Sequence, residues 1–223
     1  MNPLMDIYRR LLDAYGPQGW WPGDSRFEMI AGAILTQAAA WRNVELALAN
    51  LRTAGIDDWP AVHALEVEAL AELVRPSGYY NAKARKLKAF AARVCVEYDG
   101  SLDAMFAADS AALREELLGI HGIGPETADD ILVYAAGKPS FVIDAYTIRI
   151  MRRVGISPDG RDNYDAWQAM FYAGVPADIH VYNEYHALLD RHHKEACTKN
   201  APRCDGCCLL EVCETGRTTA RPV

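Results

Sequence analysis

Ile120-His121-Gly122-Ile123-Gly124-Pro125-Glu126-Thr127-Ala128 is a glycine turn set between two helical stretches. A G-x-G turn of this kind exposes consecutive backbone N–H groups at the positive end of the second helix. Such a nest binds a phosphate without needing a lysine. Alone it carries moderate weight, because glycine turns between helices are also common packing devices. Twenty residues further on, the extended run Phe141-Val142-Ile143 delivers Asp144 to the start of another helix, where it is well placed as the N-cap. Turn and capping aspartate at this separation make a far more specific signal than either part.

Working outward from the turn, the chain reads as helix after helix. Leu4, Ile7, Leu11 and Tyr15 recur at helical spacing until Gly16-Pro17 breaks the segment. Trp20-Trp21-Pro22-Gly23-Asp24 follows as a rigid aromatic turn. Ser25-Arg26-Phe27-Glu28 is a capping box for a helix from Phe27 to about Gln37. Further helices are expected through Trp41, Val44, Leu48 and Leu51, from Pro60 through Leu65, Leu70 and Leu73, and over Asn81 to Glu97 with a basic polar face. Ser110 is placed to cap the helix before the turn, and Thr127 to Ala136 forms the helix after it. Beyond Asp144 come a helix ending at Gly155, then Tyr164 to Ala173 and Val181 to His192, with His192-His193 as a helix cap and a disordered tail from Thr215. Only Phe141-Val142-Ile143 is extended, and it is too short to found a sheet. The expected fold class is all-α.

With 223 residues, 51% apolar and 24% charged, the chain can bury one good core or two small ones. No apolar run approaches the roughly 18 residues of a membrane span, and the first residues lack the pattern of a signal peptide. A cytoplasmic protein is expected, nucleoid-associated when acting. In that reducing compartment clustered cysteines favour metal over disulfide, and the isolated Cys95 reads as a buried thiol. The net charge of −7 argues against a nucleic-acid protein. Yet the basic residues gather at Lys83-Ala84-Arg85-Lys86-Leu87-Lys88 and Arg149-Ile150-Met151-Arg152-Arg153, which permits one basic face on an acidic protein. Weak, salt-sensitive DNA binding is the expectation.

Near the C-terminus stand Cys197, Cys204, Cys207 and Cys213, spaced C-x6-C-x2-C-x5-C, with Cys208 beside them. Four thiolates this close can wrap one soft metal centre, zinc or an iron–sulfur cluster. Zinc ribbons usually pair two C-x2-C knuckles, whereas here there is one, so a compact [4Fe-4S] cubane is the favoured occupant and zinc the alternative. Only Cys207 preserves the x2 and x5 loops, which leaves Cys208 as a bystander. Lys199 and Arg203, in the loop between the first two ligands, are either phosphate contacts or ordinary solvated charges.

The turn from Ile120 to Ala128, the Val142-Ile143-Asp144 segment and the cysteine loop together resemble the endonuclease III superfamily of helix-hairpin-helix DNA glycosylases, from about Phe27 to Cys213. Trp20-Trp21-Pro22, Leu35-Thr36-Gln37, Arg75-Pro76-Ser77-Gly78-Tyr79-Tyr80-Asn81 and Gly122-Ile123-Gly124 are more similar to its 3-methyladenine DNA glycosylase III branch, which removes alkylated purines. The best-known members of that branch lack the cluster that this chain's cysteines imply. The resemblance implies two bundled domains with the active cleft between them. One is a six-helix barrel with the hairpin over residues 27–137; the other joins residues 1–26 and 138–223 and holds the cluster loop. It also assigns Asp144 the catalytic role. Cleaving a glycosidic bond builds positive charge on the deoxyribose, and a fixed carboxylate stabilises that charge or orients the attacking water. In bifunctional members a lysine of the hairpin attacks the sugar; here Glu126 stands at that position, and a carboxylate forms no Schiff base. A monofunctional enzyme with absent or weak AP-lyase activity follows.

A glycosylase must flip its base out of the stack and hold it against flat surfaces. Trp20, Trp21 and Trp41 suit that task, with core packing as the competing reading for each. The resemblance places Gln37 where a glutamine fills the gap left by the flipped base, with a surface glutamine at a helix end as the competing reading. Gly122 and Gly124 are the hairpin's phosphate site, and Tyr80, Asn81, Lys83 and Arg149 are further DNA contacts or merely solvated residues. The partner is damaged double-stranded DNA, with no membrane and a monomeric protein. The leading expectation is removal of an alkylated purine by a monofunctional glycosylase. The rivals are removal of oxidised or mismatched pyrimidines and, in a different class, a non-catalytic iron–sulfur DNA-binding protein.

Overall fold

The computed structural model describes residues 2–20 and 23–219, and no strand occurs among them. The chain divides into two compact units, Met1–Trp21 with Pro139–Val223, and Pro22–Lys138. Trp21 lies outside the described residues.

Helix α1 (Pro3–Tyr15) opens the first unit. The Asn2 side chain accepts from Leu4 N, Pro3 presets the first turn, and Gly16 ends the helix at φ 69°. The second unit then runs through α2 (Arg26–Leu35), α3 (Trp41–Thr53), α4 (Trp59–Ala64), α5 (Val67–Leu73), α6 (Tyr80–Tyr98), α7 (Leu102–Phe106), α8 (Ser110–Leu118) and α9 (Pro125–Asp130). The chain returns to the first unit as α10 (Ala145–Val154), α11 (Tyr164–Gly174), α12 (Ile179–Glu195) and α13 (Glu214–Thr219).

Each unit has a core of its own. In Pro22–Lys138 the buried faces bring together Ile30, Ile34, Val44, Leu51, Leu87, Phe90, Leu117 and Ile131. Trp59 is wedged there between Phe27 and Phe90, with ring centroids 5.0 and 4.5 Å away. The other core packs Ile7 and Leu11 of α1 against Phe141, Ile143, Ile150, Trp167, Phe171 and Tyr185. Phe141 stacks on Phe171 at 4.0 Å. The extended run is therefore buried without a sheet, and side chains meet its backbone: Gln168 Nε2 donates to Phe141 O at 2.9 Å, and Ile143 N to the Tyr164 hydroxyl at 3.3 Å.

Several local expectations need correction. The single helix read from Pro60 to Leu73 is two, because Leu65 and Glu66 are extended and the Lys88 ammonium caps α4 by donating to the carbonyls of Val62, His63 and Leu65. Asp109, not Ser110, caps α8: its Oδ1 accepts from Ala111 N at 3.0 Å and Ala112 N at 2.9 Å, and Ser110 is the first helical residue. In the capping box Ser25 Oγ accepts from Glu28 N, but Glu28 reaches back to Asp24 N instead of Ser25 N. The second hairpin helix changes pitch, α9 passing into a π turn over Ile131–Ala135. Thr215 to Thr219 is helical in α13, and His192 is buried inside the last turns of α12.

The largest change concerns Lys83, expected to be a DNA contact. It is 1% exposed, and its Nζ donates to Leu35 O at 2.8 Å and Ser77 O at 2.6 Å. It caps the C-terminus of α2 from inside and offers nothing to a phosphate. Burial, then the charge of Lys86, pushes this ammonium from its ordinary 10.5 down to about 8. Replacing Lys83 with Met strands two buried carbonyls and should cost about 1–3 kcal/mol of stability in thermal or urea unfolding at neutral pH. Between about pH 8 and 10.5 the folded chain has released a proton that the unfolded chain keeps. The wild type should therefore gain stability relative to Lys83→Met as pH rises through that window.

Candidate active site

Asp144 is the N-cap of α10, in extended conformation, and it is buried. Its Oδ1 accepts from Thr147 N at 2.7 Å, and its Oδ2 lies 2.8 Å from His186 Nε2, on α12. The Tyr146 hydroxyl is 3.1 Å from the same nitrogen. The Trp20 ring sits 5.6 Å from the His186 ring, tilted by 51°. Trp20 and Asp144, which the sequence singled out separately, thus share one neighbour, His186.

The hairpin lies in Pro22–Lys138 between α8 and α9. Ile120 and Ile123 anchor it in the core, while His121 is exposed at the tip. Gly122 has φ 85°, and a Cβ there would meet the Lys86 side chain at 2.3 Å. That lysine arches over the turn and donates to Gln37 Oε1; Gln37 Nε2 in turn donates to Gly122 O at 3.1 Å and Thr127 Oγ1 at 2.9 Å. Gln37, expected either to fill a flipped-base gap or to sit free at a helix end, spends its amide on fixing the hairpin. Gly124 differs: its φ of −95° suits any residue, and nothing lies within 4 Å of an added Cβ. Its bareness leaves the face of the turn open to an outside group. Glu126 is exposed in the first turn of α9.

Around α3 and α6 the expected contacts are dispersed. Trp41 is half-buried against the core, and its Nε1 donates to Glu45 at 3.0 Å. Tyr80 is half-buried under the Arg75 guanidinium, 4.6 Å from the ring centroid, and Asn81 is exposed. Arg149, in the other unit, points its Nε and Nη2 at the Cys197 carbonyl at 3.4 and 3.3 Å. It braces the cysteine loop instead of standing solvated.

Cys197, Cys204, Cys207 and Cys213 line one cavity with Ile150, Val154 and Leu209. Arg153 donates to Cys197 Sγ at 3.2 Å, and Gly216 N to Cys213 Sγ at 3.3 Å. Burial pushes the Cys213 thiol up; Gly216 N–H opposes this, and the charges of Cys197, Cys207 and Cys204 add to the rise. Cys208 faces a second cavity with Tyr15, Arg203 and Asp205. A His192 ring nitrogen and the sulfurs of Cys207 and Cys208 lie within 4.8 Å of one another; His192 Nε2 is 3.9 Å from Cys207 Sγ, and His192 Nδ1 is 2.9 Å from the Tyr15 hydroxyl.

The stretch that holds the helical hairpin and the capping aspartate matches a known sequence profile. The profile of the HhH-GPD superfamily of base excision DNA repair proteins covers residues 31–170. The chain belongs to that superfamily. A Methanocaldococcus jannaschii protein provisionally named a DNA repair glycosylase is 43% identical, over 94% of this chain and 95% of its own length. Endonuclease III of Treponema pallidum is 28% identical, over 88% of this chain and 87% of its own. Among solved structures, the H. pylori 3-methyladenine DNA glycosylase bound to 1,N6-ethenoadenine matches with a TM-score of 0.77 at 30% identity, covering 86% of this chain and 97% of that one. A trapped endonuclease III–DNA covalent intermediate matches with a TM-score of 0.83 at 20% identity, covering 99% and 100%, a likeness of fold alone. Superfamily membership makes this chain a DNA repair glycosylase.

Two residues of this glycosylase escaped sequence reading. His186 carries no local signal, since only the packing of α12 on α10 brings it to Asp144. Tyr79 is 76% exposed with φ 46°, so an aromatic ring is held outward in left-handed backbone just before α6. The turn residues Pro76 and Gly78 were the available hint. The contrast between the two hairpin glycines is testable: Gly122→Ala should cost about 1–3 kcal/mol in unfolding measurements, whereas Gly124→Ala should leave stability nearly unchanged.

Proposed function

We propose that this protein is a monofunctional glycosylase that flips a damaged base, an alkylated purine, out of duplex DNA and hydrolyses its N-glycosidic bond. Asp144 carries this reading. Both oxygens of this buried carboxylate are held, one by Thr147 N and one against His186 Nε2, and a carboxylate so placed stabilises the cationic sugar of the transition state. Water is the nucleophile, because the exposed Glu126 offers no amine for a Schiff base. The hairpin amides around Gly124 take a backbone phosphate, and the outward ring of Tyr79 fits a stacking contact. Trp20, beside His186, supplies a face for an electron-poor purine. The relative at 30% identity that acts on 3-methyladenine and binds 1,N6-ethenoadenine supports the purine assignment. The protein acts as a monomer in the cytoplasm.

The four soft donors around one apolar cavity, with N–H groups aimed at two of the sulfurs, fit an iron–sulfur cluster on Cys197, Cys204, Cys207 and Cys213. Bound there, a [4Fe-4S] cluster clips the loop between α12 and α13. The same loop and the endonuclease III relatives favour a second reading, removal of oxidised pyrimidines.

Asp144→Asn should keep the capping acceptor but remove the charge, slowing base release on the order of 10²-fold or more while DNA binding persists. Strand breaks by the wild type should appear only after alkali, and borohydride should trap no covalent adduct; a trapped adduct would defeat the monofunctional assignment. On a duplex panel, release of thymine glycol with none of 3-methyladenine would transfer the protein to the second reading. Purified protein should be yellow-brown with iron and sulfide, and Cys204→Ala colourless and destabilised. A colourless wild type holding zinc would remove the cluster.

A further inference from the structure

We propose that His186 is a positioning residue for Asp144, donating its Nε2–H to Oδ2 so that the carboxylate is held in one plane between two N–H groups from different helices. The inference rests on the reading of Asp144 as the catalytic carboxylate. Thr147 N fixes Oδ1 from within α10, which by itself leaves the carboxylate free to pivot about that bond. The imidazole of α12, 2.8 Å from Oδ2 and 3% exposed, removes the pivot. Asp144 Oδ2 can only accept, whereas the Tyr146 hydroxyl, 3.1 Å from the same nitrogen, can donate or accept. An unprotonated Nε2 would set its lone pair against a carboxylate oxygen, so the proton resides on Nε2. The ring plane is fixed as well: Tyr146 lies nearly parallel to His186, 19° and 5.8 Å away, and is itself stacked at 4.4 Å on His193. The Trp20 ring lies 5.6 Å from the His186 ring. A carboxylate so held meets developing charge on the sugar with no reorganisation, which is the property that makes such groups effective.

The test is a mutant cycle measured by single-turnover base release from duplexes carrying 3-methyladenine, 1,N6-ethenoadenine or thymine glycol, using the lesion the wild type releases fastest. His186→Leu fills the space without a donor and should slow release about 10- to 100-fold, with binding to a tetrahydrofuran-containing duplex unchanged. His186→Gln, whose amide reaches a similar point, should recover much of the rate. The double variant Asp144→Asn/His186→Leu should be no slower than Asp144→Asn alone, because His186 acts only through that carboxylate. Equal loss in the Leu and Gln variants, or losses that multiply in the double variant, would show a merely structural residue and overturn the proposal. Nitrogen-15 spectra of the wild-type histidines give a second readout that needs neither lesion nor variant: a protonated, pyrrole-type Nε2 at neutral pH is expected, and a pyridine-type Nε2 would also overturn it. Should Asp144→Asn release base at the wild-type rate, the functional reading falls. Should it be slow while His186→Leu runs at the wild-type rate, only the role of His186 falls.

Discussion

A carboxylate taken out of water must be met by donors or it becomes a liability of several kcal/mol. That requirement, at Asp144, organises the unit formed by the two ends of the chain. One donor is built into the start of α10, so the helix cannot begin elsewhere without stranding the charge. The other comes from α12, so the two helices are registered by a polar contact inside the core. The run before Asp144 is drawn in with it. Phe141 and Ile143 are buried in extended backbone whose polar groups are met by Gln168 and Tyr164 of the α11 region, where a β-protein would have used a neighbouring strand.

The hairpin in the other unit is held by a different device. Gln37 and Lys86 fasten its backbone from outside, and the close approach of Lys86 over Gly122 explains the first glycine of the turn. The second glycine has no internal reason. That difference separates the glycine that the fold requires from the one that it leaves open.

What was legible in the sequence was what is decided locally. The hairpin, the N-cap at Asp144, the wall of apolar residues on α1 and the cysteine spacing each depend on residues within a few turns of one another. Asp109 took the cap of α8 from Ser110 because a carboxylate one residue earlier reached two amides at once. The break between α4 and α5 needed Lys88, about twenty residues away, to satisfy the freed carbonyls. Likewise Lys83 reads as a surface cation on a helical wheel, and only the packing of α6 on α2 turns it inward. His186 is the furthest case: nothing in its own stretch distinguishes it from any other buried histidine.

The basic stretch from Lys83 to Lys88 has a consequence for how the protein finds its target. Lys83 is committed to two carbonyls, Lys86 to Gln37 and Lys88 to the end of α4, which leaves Arg85 as its exposed cation. Charges used as internal fasteners displace no counterions from a polyanion and cast little field into solution. On a chain of net charge −7, capture of a duplex then falls to short-range fit. That helix therefore adds less long-range attraction to a duplex than its lysine count suggests.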